Sequence, residues 1–228
     1  MLFLGFGSGL PYILLISTST AWLRDVNVDL SYIGFFTWIT FTYTFKFAWA
    51  PLVDRFSIPF LAQYGHRKSW IAFMQILIFL SLLFISNIDP IENFILFCIV
   101  GATIAFAGSI QDIAIDAFRI EYAHISDQGN LAASYQLGYR LAIIAATSIA
   151  LIFADINGWS MTFKLMAGLM CLGLLGVIFS KEEKNKELGK LNFINSIVEP
   201  LKDFFSRFGM FMASILLLII ATYRLTDI

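Results

Sequence analysis

Asp112, Asp116 and Arg119 stand in the stretch AFAGSIQDIAIDAFRIE, directly after the almost wholly apolar run FILFCIVGATI. Their spacing of i, i+4, i+7 places them on one stripe of a helix. Ala105, Gly108 and Ser109 fall on nearly the same face, where small residues let another helix or a ligand come close. Gln111 is turned aside by about a quarter of a turn. A carboxylate in such a place can carry a proton, bind a coupling ion or answer a cation on another helix. Two further cations stand in apolar runs: Lys46 in YTFKFAWAPLVDR and Arg140 in YQLGYRLAI. Either can meet an anionic solute or a buried carboxylate.

The runs around these charges are long enough to cross a bilayer. The chain has 228 residues, of which 59% are hydrophobic and 14% charged, and Phe alone occurs 24 times. Its mean hydropathy is +0.79. Soluble domains are nearer a quarter charged, so this composition marks an integral membrane protein. The net charge of −1 gives no sign of a nucleic-acid partner. Cys98 and Cys171 read as buried free thiols, and His66 and His124 lie too far apart for a metal site. No cofactor is expected.

Seven spans are predicted, at about 2–23, 31–53, 69–88, 94–118, 131–154, 159–180 and 210–228. The fold class is an all-α, multi-pass helical bundle. Residues 1–180 form a six-helix bundle, 181–209 a linker and 210–228 a seventh helix that stops short. The linker opens with the solvated KEEKNKELGK and continues as FINSIVEPLKDFFSRF. There Ile194, Ile197, Val198, Leu201, Phe204, Phe205 and Phe208 recur at helical spacing, as in an amphipathic helix lying on the lipid surface. An early start to span seven is the competing reading, opposed by Pro200 and Gly209. Lys and Arg cluster in the loop after span two (Arg55, Arg67, Lys68) and in the linker, and are missing from the loops after spans three and five. The N-terminus is therefore expected in the cytoplasm.

The two aspartates are expensive. About twelve strongly apolar side chains in span four contribute about −0.3 to −0.6 kcal/mol each to insertion, and each central Asp costs about 2.5–3.5 kcal/mol. The terms nearly cancel, so the carboxylates must face a partner or a water-filled cavity. Arg140 lies about ten residues, or about 15 Å, into span five, too deep for easy snorkelling. It either contacts a solute or ion or serves architecture alone. Asp116 and Arg119, nearer the membrane edge, suit a structural or gating knot, and Lys46 is open between the two. Lys164 reads as an interface anchor. GFGSGLP, with Gly5, Gly7, Gly9 and Pro11, is expected to interrupt span one, as in transporter binding sites. Close packing of small residues is the competing reading. An intramembrane aspartyl protease needs carboxylates from two helices, whereas both sit on one here and no second span offers a well-buried Asp except the last, at Asp227; no enzyme is expected.

Several stretches in order, LGFGSGLPYILLISTSTAWLRDVNVDLSYIGFF, YTFKFAWAPLVDR, QDIAIDAFRIE, GYRLA, VEPLKDFFSRFG and YRLTDI, together resemble the AmpG muropeptide permeases of the major facilitator superfamily. The related acetyl-CoA transporters share much of the pattern. The resemblance implies two six-helix bundles around a cavity, with this chain supplying the first bundle and the start of the second. It implies proton-coupled import of anhydro-muropeptides across the bacterial inner membrane, with a C-terminal half present in cis or in trans. The alternatives are a non-transporting fragment, a subunit of a split transporter, or a permease for another solute such as acetyl-CoA. Asp54 and Arg55 match the start of the superfamily motif D-R-x-x-G-R-[RK]; Gly65, Arg67 and Lys68 match its end, with Gly65 ten positions after Arg55. The resemblance gives these residues, with Asp116 and Arg119, a gating role. Gln111-Asp112 and Gly138-Tyr139-Arg140 match the family's QD and GYR. On that basis Lys46 and Arg140 meet peptide carboxylates; Ser8, Gln111 and Tyr139 meet sugar hydroxyls; Asp112 carries the coupling proton, with Arg140 as its competing partner.

Overall fold

The computed structural model describes residues 1–56, 58, 65–122, 125–180 and 193–225. The linker lysines Lys181, Lys184, Lys186 and Lys190, together with His124 and Asp227, lie outside them. The described residues are helical and form two compact units, Met1–Lys186 and Glu187–Ile228. Among the described residues, five helices are long and apolar enough to cross a membrane: Leu2–Asp25, His66–Ile85, Phe94–Glu121, Gln128–Asn157 and Trp159–Phe179. They correspond to predicted spans one, three, four, five and six, and the free thiols within them are half-buried at Cys98 and exposed at Cys171 rather than buried.

Span two differs from the uninterrupted helix expected. It runs as α-helix Leu30–Thr37, a 3₁₀ turn Trp38–Thr40, α-helix Phe41–Thr44 and, after Phe45 (φ −85°, ψ 12°), α-helix Lys46–Arg55. The cause is local. In TWITFTYT the hydroxyls of Thr37, Thr40 and Thr42 donate to the carbonyls of Gly34, Thr37 and Ile39, each at 2.7 Å. These i−3 bonds, on residues of low helix propensity, tighten and loosen the ladder in turn.

Span one is the most enclosed and packs above all on span five, then on spans six and four. GFGSGLP does not interrupt it. Residues Leu2–Ile13 stay α-helical through all three glycines and Pro11, and the departure comes later, as a π-helical stretch at Leu14–Ser19. Pro11 lacks the N–H that would bond the carbonyl one turn back, and the wide turn follows. The glycines serve close approach instead. A Cβ at Gly5 would run into the Tyr135 carbonyl, and one at Gly138 into the Leu2 carbonyl. At Gly9 it would lie 3.1 Å from Ala142 Cβ and Tyr139. Lipid tails are as apolar as leucine, so contact of this kind, rather than exclusion from water, holds such helices together. A second π stretch, Ala145–Ile149 in span five, meets the first, and the Thr18 hydroxyl donates to the Ala146 carbonyl.

In the second unit, helix Phe193–Leu225 breaks at Gly209, whose φ of 71° suits glycine. Before the break Phe204 stacks against Phe205 and Phe208, and Arg207 pairs with Asp203 one turn back.

Gly5→Ala is expected to destabilise the first unit by about 1–3 kcal/mol, since the added methyl meets backbone that cannot yield. Gly168→Ala, in open space on span six, is expected to leave stability unchanged or slightly raised. Thermal unfolding of both variants in one detergent compares them; equal midpoints would refute the close-approach account.

Candidate functional site

The stripe on span four meets span one through a hydroxyl. Ser8, 1% exposed, donates to Asp112 Oδ1, and its oxygen lies 2.7 Å from the Tyr135 hydroxyl of span five. An ionised carboxylate only accepts, and Ser8 has one proton to give. With that proton on Asp112, Tyr135 must donate to Ser8. Through Ser8, three spans therefore converge on one carboxylate, and Gly5 lets the span-five backbone at Tyr135 close on span one. Tyr43 of span two stands on the same side against Gly108, edge-on to Tyr12 with centroids 4.8 Å apart. Its buried hydroxyl has no hydrogen-bond partner among the described residues.

One turn further along, Asp116 lies 3.9 Å from Lys46 Nζ and 3.5 Å from Arg119. All three are part-exposed, so these pairs are weak tethers rather than strong locks. The Arg119 guanidinium sits 5.5 Å over the Tyr135 ring, a cation–π contact. Tyr139, one turn on from Tyr135, is half-buried beside it, with ring centroids 6.4 Å apart.

Arg140 is elsewhere. It is exposed, beside Leu137 and Leu141 on an exposed stretch of span five, and among the described residues no ion pair joins it to Asp112. The charged side chains that act on Asp112 are Lys46 and Asp116. Gln111 is also apart. It is fully buried, which leaves it no surface for a solute in this conformation. A Cβ at Gly7 would lie 3.7 Å from its amide nitrogen and 2.9 Å from that of Gln75, another fully buried amide. Neither amide has a hydrogen-bond partner among the described residues.

The residues of the loop motif gather at one end of the bundle. Arg67, with a side chain only 10% exposed, donates to Asp54 at 2.6 Å and to Glu121 at 3.0 Å. Lys68 Nζ donates to the Ser180 carbonyl at 2.8 Å. His66 Nε2 lies 2.8 Å from the Val53 carbonyl and so carries the proton there, while the Trp70 indole donates to the Phe56 carbonyl. The start of span three thereby ties the end of span two to spans four and six. Arg55 is half-buried beside this knot. At the other end Trp22 stacks on Trp159, whose indole donates to Asp25 at 2.7 Å, with Phe97 and Phe163 packed around it.

Sequence reading did not single out Tyr135, Tyr43, Gln75 or Glu121. Tyr135 had a signal: it lies one turn before Tyr139, on the same face. Glu121 had one too. Nine positions beyond Asp112, it lies about half a turn round the helix, so it needed a partner on the side away from span one. Gln75 had none beyond being an amide in an apolar run.

The whole chain aligns with known transporters. Residues 1–226 match the model of the Major Facilitator Superfamily. The chain belongs to that superfamily. It is 34% identical, over its full 228 residues, to the anhydromuropeptide permease of Escherichia coli K12, of which it covers 45%. It is also 34% identical over 224 residues to a Rickettsia conorii protein named as transporter AmpG 4, with 95% of this chain and 54% of that one aligned. A Rickettsia bellii protein named AmpG 1 is 29% identical over 230 residues. The resemblance read from the sequence is thus shown. The chain is a multi-pass membrane protein of a transporter family, not an enzyme. It spans about half the length of the curated relatives it matches.

Arg67→Met is expected to destabilise the bundle by about 1–3 kcal/mol by leaving Asp54 and Glu121 facing each other without a cation. Arg67→Lys is expected to recover only part of the loss, because an ammonium lacks the planar fork whose two separate nitrogens meet Asp54 and Glu121. Unfolding midpoints of the two variants, and of Arg67→Met with Glu121→Gln, test this. An unchanged midpoint for Arg67→Met would refute a bracing role.

Proposed function

We propose that this chain is the N-terminal half of a proton-coupled importer of anhydro-muropeptides in the bacterial inner membrane, with its N-terminus in the cytoplasm. The observation that carries the reading is the carboxylate of Asp112 inside span four, bonded by the Ser8 hydroxyl of span one, which the Tyr135 hydroxyl of span five meets in turn. A group so placed can lose and regain a proton without leaving the membrane's interior. The similarity to a protein named anhydromuropeptide permease supports the substrate class. The basic residues after span two and in the linker support the orientation.

Asp112 is the proton carrier. Lys46, beside Asp116, meets a peptide carboxylate from within this bundle, and Arg140, on an exposed face of span five, meets one where a second bundle would close the cavity. Ser8 and Tyr139 answer sugar hydroxyls. Asp54, Arg55, Arg67, Lys68, Asp116 and Arg119 form the gate, in which Arg67 ties spans two, three and four together. A substrate that drew Arg140 from Asp112 is no part of this scheme, since the two do not pair. Rocking of one bundle against another requires two, so the chain transports with a second half.

The test uses a strain without its own muropeptide permease. Expressed with the C-terminal half of the Escherichia coli relative, the chain is expected to accumulate labelled N-acetylglucosaminyl-anhydro-N-acetylmuramyl tripeptide. Expressed alone, it is expected to accumulate none. Asp112→Asn in the paired system is expected to abolish accumulation against the gradient while leaving exchange down it. Accumulation at the wild-type rate in Asp112→Asn would remove the proton role. Uptake of labelled acetyl-CoA in place of muropeptide would move the substrate.

A further inference from the structure

The chain Tyr135–Ser8–Asp112 has a direction, and that direction depends on a proton. With Asp112 ionised, the Ser8 proton is committed to the carboxylate and the Tyr135 proton to Ser8, across 2.7 Å. Every donor points inward. When Asp112 gains a proton it becomes a donor, and Ser8, with two lone pairs, can accept from it. Ser8 is then free to donate to Tyr135, whose own O–H is released.

We propose that these three residues form a proton-reading relay in which protonation of Asp112 turns the Tyr135 hydroxyl from Ser8 towards the solute. The released donor would bond an acceptor on the solute, a carboxylate or sugar oxygen, so the inference rests on the transport reading above. Asp112 takes one proton from the aqueous phase; the O–H bond formed there is the only one made. Solute binding at Tyr135 then favours the protonated state, and by linkage the proton favours solute to the same degree. The relay needs no contact between Asp112 and a cation, in keeping with the separation of Arg140.

Tyr135 suits the reading position. It is half-buried on span five, and its ring carries the Arg119 guanidinium. Arg119 in turn holds Asp116, and Asp116 lies against Lys46. Lys46 from span two and Asp116 from its own helix act on Asp112, as does its neighbour Tyr43, and Tyr135 lies within its reach from span five. Tyr12 and Tyr139 lie beside Tyr43, and Arg119 lies over the Tyr135 ring. Tyr135 is joined to the carboxylate through the Ser8 hydroxyl.

Infrared difference spectroscopy of the chain in nanodiscs, acid minus neutral, tests the relay without solute or second bundle. The wild-type spectrum is expected to show a protonated-carboxyl C=O band that Asp112→Asn loses, and a tyrosine C–O band that Tyr135→Phe loses. In Ser8→Ala the carboxyl band is expected to remain while the tyrosine band vanishes, because the link between them is cut. A tyrosine band that survives Ser8→Ala, or is missing from the wild type beside a normal carboxyl band, would overturn the relay and leave Asp112 as a proton carrier. A wild type without the carboxyl band would overturn both the relay and the proton role.

Discussion

A carboxylate carried inside a bilayer must be answered by the protein, because no solvent is there to do it. Asp112 is answered by Ser8, and that contact rests on how closely span one can approach spans four and five. A hydroxyl on a short side chain reaches a neighbouring helix only when the two backbones nearly touch. Gly5, Gly9 and Gly138 let span one close on span five: a Cβ at Gly5 or Gly138 would strike backbone of the facing span, and one at Gly9 would lie 3.1 Å from its neighbours. On the span-four side, Gly108 stands where a Cβ would lie 3.5 Å from Pro11 of span one.

The same helices show what happens where the ladder is not regular. Span one widens into a π turn after Pro11, and span five widens at the level it meets. Span two alternates between helical forms through its threonines before it presents Lys46 to Asp116. Irregular backbone is tolerated at this depth where protein covers it, as spans one and five cover each other's wide turns. Wide turns of this kind are common near functional sites, and these two meet each other further along the parallel spans than the level at which Ser8 and Tyr135 meet.

Charge is distributed differently along the bundle. Around Asp112 it is sparse, and the carboxylate takes its hydrogen bond from the Ser8 hydroxyl. Around Arg67 it is paired twice and largely enclosed, which fixes the end of span two to spans three and four. A transporter of the superfamily needs both qualities: a site that responds and a frame that does not.

The sequence by itself determined the class, the family and the existence of the charged stripe. Hydrophobic run length fixes which segments can cross a membrane, and the i, i+4, i+7 spacing fixes that Asp112, Asp116 and Arg119 share a face. These are one-dimensional facts with one-dimensional causes. It also marked GFGSGLP as unusual, though its meaning turned out to be contact rather than a break. Composition cannot tell a loosened helix from a crowded one. What lies across from each residue was decided only by the tertiary structure. Tyr135 and Ser8 are 127 positions apart, and nothing local to either announces the other. Arg140 and Gln111 sit in family motifs, yet one faces outward and the other is enclosed. The rotation of a helix about its own axis, set by the packing of all its neighbours, places each side chain towards the cavity, the core or the outside.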